Sequence, residues 1–157
     1  MSELRDYQIE AVGAVRARHQ NASDALLVMP TGAGKTRVML EVVRRALGER
    51  EDARCMILLN RVQLVEQTAK VASSHIEEVG LFCASLSKNA ESRLTIGSVQ
   101  SVSRGEIPTT NLIVVDEAHQ IEADMYNKII ESARAKNPDL KLLGCTATPY
   151  TASGGYI

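Results

Sequence analysis

Two short runs carry residues able to do chemistry: Met29-Pro30-Thr31-Gly32-Ala33-Gly34-Lys35-Thr36 and Asp116-Glu117-Ala118-His119. In the first, Gly32 and Gly34 let the backbone curl so that successive N–H groups face one centre. A helix expected to start at Lys35 would offer its N-terminus to an anion there. This is the pattern of a phosphate loop. Thr31, Gly32, Ala33 and Gly34 would cradle a triphosphate, Lys35 would reach its β- and γ-phosphates, and the Thr36 hydroxyl would ligate magnesium. The strict pattern has glycine at position 29, where this chain has Met29.

The second run follows an apolar stretch, Leu112 to Val115. A carboxylate at a strand end, Asp116, can hold magnesium through its water shell. A second carboxylate beside it, Glu117, can accept the proton of an attacking water. Alone, such an acidic pair could merely cap the next helix; beside a phosphate loop the catalytic reading leads. A lone histidine is more often a polar bridge than a catalyst, so His119, three residues past Asp116, reads as a coupling residue. ATP and Mg2+ are therefore the expected ligands.

The elements that must position these groups alternate between helix and strand. Helices are expected over Tyr7–Arg18, Lys35–Leu47, Val62 to about His75, and Ile121–Lys136. Gly48 fits the residue just past the second of these, and Asn137-Pro138 stops the last. Strands are expected over Ala25–Met29, Cys55–Leu59, Leu81–Ala84, Leu94–Val99, Leu112–Val115 and Leu140–Cys145. Uninterrupted apolar strands between helices imply an α/β fold with a mostly parallel sheet covered on both faces. Ligands of such sheets bind at the carboxyl ends of the strands. The loops after Met29, Leu59, Val115 and Cys145 should thus converge on one edge.

Composition narrows the class. The chain has 157 residues, 45% apolar and 24% charged, with a formal net charge of −1. That length suits one domain burying about 70% of its unfolded surface. A net charge near zero means that any nucleic-acid binding must rest on a local patch. With one Phe, four Tyr and no Trp, an aromatic stacking platform is not expected. Cys55, Cys83 and Cys145 share no metal-ligand spacing and read as buried small hydrophobes. With no signal-peptide pattern and no apolar run near the roughly 18 residues of a membrane span, the expected location is cytoplasmic.

The two runs together resemble those of superfamily 2 helicases and translocases, and four further segments match that family in order. Leu4-Arg5-Asp6-Tyr7-Gln8 resembles the segment whose glutamine recognises adenine. Leu58 to Gln67 resembles motif Ia. Thr95 to Ser101 resembles the strand-end motif that touches the nucleic-acid backbone. Thr146-Ala147-Thr148-Pro149 resembles motif III. The wording Gly97-Ser98-Val99-Gln100-Ser101, the acidic run, and Leu143-Gly144-Cys145-Thr146-Ala147-Thr148-Pro149-Tyr150 resemble in particular the RadD-type DEAH helicases.

This resemblance implies a RecA-like lobe acting in DNA repair or recombination. It implies that Gln8 bonds the adenine edge, with Arg5 or Tyr7 on the ring. Thr146 and Thr148, with His119, would couple the γ-phosphate site to the nucleic acid. Asn60, Arg61, Ser98, Gln100 and Ser101 would bond phosphates of one strand, contacts that position without reading sequence. The family usually has a proline or histidine near Asn60. DNA is the expected partner, RNA being open. Enzymes of this class need two such lobes, and residues 1–157 account for one. The expectation is an amino-terminal lobe of a longer protein, slow in hydrolysis without the arginine fingers of its companion.

Overall fold

The computed structural model describes residues 3–83 and 92–148. Helix α1 spans Asp6–Asn21, strand β1 Asp24–Val28, α2 Lys35–Glu49, β2 Cys55–Leu59, α3 Val62–Ser73, β3 Val79–Phe82 and β4 Leu94–Ser98. A short helix α4, Val99–Val102, then leads to β5, Leu112–Asp116, a 3-10 turn at Ala118–Gln120, α5, Ala123–Lys136, and β6, Lys141–Thr146. The strands form one sheet in the order β1-β6-β5-β2-β4-β3, every pairing parallel. The α/β architecture read from the sequence is the one observed.

The pleat divides the apolar runs between two layers. In β2, Cys55, Ile57 and Leu59 join a core with Val12, Val38, Met39, Val43 and Val65 of α1, α2 and α3. Met56 and Leu58 point the other way, into a core with Val99, Val102, Ile129 and Ala133 of α4 and α5. All five residues of β2 are buried, which is why it shows no alternation. Cys55, Cys83 and Cys145 are buried, and burial pushes the Cys55 thiol up to about 12.

Four differences from the sequence reading have physical causes. Strand β1 is apolar but lies at the sheet's edge, so Leu26 and Val28 remain 43% and 46% exposed. On α1, where the spacing of Ile9, Val12 and Val15 predicts a partly shared inner face, Val12 and Val15 are buried but Ile9 is exposed, and the buried neighbour at that end is Gln8. Val99 starts α4 instead of ending β4, because the Ser98 hydroxyl accepts the Ser101 N–H and turns the chain. Gly48 lies inside α2, which runs to Glu49. The Arg93 guanidinium donates to the carbonyls of Leu47 and Arg50, so the helix end needs no left-handed glycine. Of the strand expected over Leu81–Ala84, Ala84 lies outside the described residues, as does Pro149 of the motif III segment.

Candidate nucleotide and nucleic-acid site

Parallel register brings the chemistry to one edge. Val28 pairs with Thr146, Asp116 with Cys145, and Leu59 with Ser98. The loop leaving β1 is pinned at its start by the Met29 N–H to the Thr146 carbonyl, 3.0 Å. Gly32 and Gly34 then take φ values of +83° and +79°. Side chains rarely adopt that region, and this loop needs it twice within three residues. Gly34 is the residue before α2, and its carbonyl accepts from Arg37 and Val38. Thr31 and Gly32 are exposed, while Ala33, Gly34, Lys35 and Thr36 are half-buried, so the mouth of the loop is open to solvent.

Lys35 reaches from the first turn of α2 to the end of β5. Its Nζ lies 3.0 Å from Asp116 Oδ1 and also bonds Glu117. The three side chains are 13%, 17% and 31% exposed. Burial works against the Lys35 charge, but hydrogen bonds and attraction from Glu117 and Asp116 outweigh it and raise its pKa. Glu117 has φ +50° and ψ +50°, the one non-glycine residue with positive φ among those described. A left-handed glutamate costs about 1–3 kcal/mol and is held here by surrounding bonds. One of them is its own N–H to Asp116 Oδ1, 3.0 Å.

A chain of polar contacts runs from Glu117 to the end of β6. His119 Nδ1 lies 3.4 Å from Glu117 Oε2 and 2.8 Å from Thr146 Oγ1. Thr146 is fully buried; its hydroxyl donates to the Thr148 carbonyl at 2.6 Å and accepts the Thr148 N–H at 3.0 Å. A carbonyl can only accept, so the single hydroxyl proton is spent there. His119 Nδ1 must then carry the proton in its bond to Thr146.

Gln8, on α1, is 2% exposed and both ends of its amide are used. Oε1 accepts the Arg5 N–H at 3.0 Å, and Nε2 donates to the Ala33 carbonyl at 3.0 Å. A Cβ on Gly34 would stand 2.3 Å from Gln8 Nε2, a second reason for glycine there.

The remaining candidates follow β2 and β4. Asn60 is half-buried and Arg61 exposed at the start of α3; Asn60 Nδ2 donates to the Gln120 carbonyl at a long 3.5 Å. A cavity of about 180 Å³ lined by Asn60, Arg61, Leu64, Asp116, Glu117 and Gln120 joins this region to the carboxylates. Gln100 is exposed and Ser101 half-buried. Ser98 is 1% exposed, with its hydroxyl given to Ser101 and the α4 cap, so its contribution is to shape this turn. Sequence reading did not single out Gln120 or the Ala33 carbonyl, since neither shows any signal in residue type.

The donor set suits a divalent cation shared with phosphates. Two carboxylates already converge on one positive charge, the Lys35 ammonium, and the Thr36 hydroxyl lies one residue further along α2. Among the described residues no cluster of three or more His, Cys, Asp or Glu could hold a metal by itself.

The family model described as the res subunit of type III restriction enzymes matches residues 1–151. The chain belongs to that family. Its fold is the RecA-like lobe of superfamily 2 helicases. The mouse (Mus musculus) ATP-dependent RNA helicase DHX58 is 30% identical over 175 residues, covering 95% of this chain and 25% of that protein. The UvsW helicase of bacteriophage T4 superposes with a TM-score of 0.77 at 18% identity, over 94% of this chain and 53% of that one. The type ISP restriction-modification enzyme LlaGI, solved with a DNA substrate mimic, gives a TM-score of 0.73 at 18% identity, over 99% of this chain and 18% of that one. The chain spans a quarter or less of the length of the curated relatives it matches. Among the described residues no helix is long and apolar enough to cross a membrane.

Proposed function

We propose that residues 1–157 form the ATP-binding lobe of a DNA-dependent ATPase, a helicase or translocase that works with a second RecA-like lobe. The observation that carries the reading is the convergence of Lys35, Asp116 and Glu117 at the mouth of a phosphate loop, with His119 and Thr146 bonded behind them. Thr31 to Gly34 would cradle the phosphates through backbone N–H groups, and Lys35 would neutralise the β- and γ-oxygens. Thr36 and Asp116 would hold magnesium, which supplies charge neutralisation at the transferring phosphate. Glu117 would orient and deprotonate the attacking water. Gln8 is buried with its amide bonded to Arg5 and Ala33, so it would meet the adenine edge only by giving up one of those bonds. His119, Thr146 and Thr148 would pass the state of that site to a strand held by Asn60, Arg61, Gln100 and Ser101 on the turn shaped by Ser98.

DNA is the proposed partner and repair or recombination the proposed setting, in the manner of RadD-type helicases. A second reading, the motor of a restriction-type nuclease complex, has its own support in the family description and in the likeness to LlaGI. Both readings share the chemistry of this lobe and differ in what is attached to it.

The test is ATP hydrolysis by the purified chain, alone and with single-stranded DNA, duplex DNA or RNA. Mg·ATP binding with very slow turnover is expected, because arginine fingers are worth about 10³–10⁵ in rate. Rapid turnover abolished by Lys35→Ala would overturn the dependence on a second lobe. Failure to bind Mg·ATP would overturn the function. Stimulation by RNA alone would replace DNA as the partner.

A further inference from the structure

The Ala33 carbonyl, between the two left-handed glycines, takes two side-chain donors from successive residues of α1. Gln8 Nε2 donates at 3.0 Å and Tyr7 Oη at 3.0 Å. Each is paid out by a side chain with its own anchor. Gln8 is held through the Arg5 N–H, and the Tyr7 hydroxyl accepts from Arg5 Nη1 at 3.3 Å. The two donors fill both lone pairs of one carbonyl.

The geometry of a trans peptide gives this clamp a consequence. The carbonyl of Ala33 and the N–H of Gly34 belong to one plane and point in opposite directions. Holding the carbonyl toward α1 turns the Gly34 N–H away from α1. That plane rocks about ψ of Ala33 and φ of Gly34, and Gly34, a glycine at φ +79°, sets little steric barrier on its side. External donors must therefore fix it.

We infer that Tyr7 is a positioning residue for phosphate binding: through the Ala33 carbonyl it fixes the direction in which the loop presents its N–H donors. This rests on the nucleotide-binding reading above and adds a residue to it. It differs from a role against the base ring, because a clamp on the loop acts on the phosphates whatever base is attached. Tyr7 is 41% exposed, so its hydroxyl can be removed without opening the core.

The test compares wild type with Tyr7→Phe by calorimetric titration with Mg·ATP and with base-free Mg·tripolyphosphate. One net hydrogen bond lost predicts that both ligands weaken by the same factor, about three- to tenfold. Weakening confined to ATP would move Tyr7 to the base and overturn the inference, as would no change in either. Backbone 15N order parameters of the ligand-free chain supply a second readout. They are expected to fall at Gly32, Ala33 and Gly34 in Tyr7→Phe while the strands stay unchanged. Unchanged loop order would overturn the clamp. If wild type binds neither ligand, the nucleotide reading itself fails, and the order parameters still decide whether Tyr7 holds the loop.

Discussion

Lys35 Nζ stands 3.0 Å from Asp116 Oδ1 while also bonding Glu117, so the ligand-free site carries its own cation. Three charges at partial burial, two negative and one positive, satisfy one another. A divalent ion arriving alone must displace the ammonium; arriving with a triphosphate it need not, because the phosphates give Lys35 a new anionic partner. Mn2+ titration followed by electron paramagnetic resonance should therefore show little binding to the ligand-free wild type. Lys35→Ala should gain binding by about tenfold or more, and Lys35→Ala with Asp116→Asn should lose it again. Equal Mn2+ affinity in wild type and Lys35→Ala would mean that the ammonium does not guard the site.

Glu117 holds its left-handed backbone beside this cluster, its carboxylate bonded to Lys35, and is the proposed base. Glu117→Gln preserves shape and removes the proposed base. Nucleotide binding should persist while single-turnover hydrolysis falls by about 10²–10⁴. A variant hydrolysing at the wild-type rate would remove Glu117 from the chemistry.

Far from the carboxylates, Glu41 is 6% exposed and bonded by Arg44 at 2.8 and 2.9 Å and by Arg45 at 2.6 Å. The Arg44 hydrogen bonds, together with the one from Arg45, outweigh burial and lower its pKa from 4.5 to about 2. A depressed carboxylate contributes stability above its unfolded pKa and loses it as pH falls through the folded one. The contribution should be complete above about pH 5 and fade toward pH 2. Because Arg44 is half-exposed, solvent screening reduces it to about 1–2 kcal/mol. Urea melts of Glu41→Gln at pH 7 and pH 3 should show a difference from wild type that shrinks at the lower pH. A constant difference would assign the loss to packing.

Much of this site can be read from local pattern, because its residues sit at fixed offsets from strand ends. Lys35 and Asp116 follow apolar runs, and parallel register brings those runs to one edge. What escaped reading depends on partners distant in sequence. Arg93 relieves the end of α2 from more than forty residues away, so Gly48 looked like a terminator. Tyr7 and Gln8 meet Ala33 across 26 and 25 residues. Strand order is equally non-local. The run Ala25–Val28 has the composition of a covered strand, and nothing within it tells that, among the described strands, β1 pairs with β6 alone.

Thr146 offers the sharpest separation of coupling from packing. It is fully buried, and its hydroxyl serves the Thr148 carbonyl, the Thr148 N–H and the His119 Nδ1–H together. Thr146→Val keeps the volume and leaves those three groups without their partner, a loss of about 1–3 kcal/mol. Thr146→Ser restores the hydroxyl at the cost of a methyl group, about 1 kcal/mol. Thermal melts should therefore place both variants below wild type. The His119 imidazole resonances should separate them, shifting in Thr146→Val because Nδ1 loses its acceptor and staying near wild type in Thr146→Ser. If both variants shift His119 alike, the methyl group positions the ring, and the His119–Thr146 hydrogen bond is not what holds it.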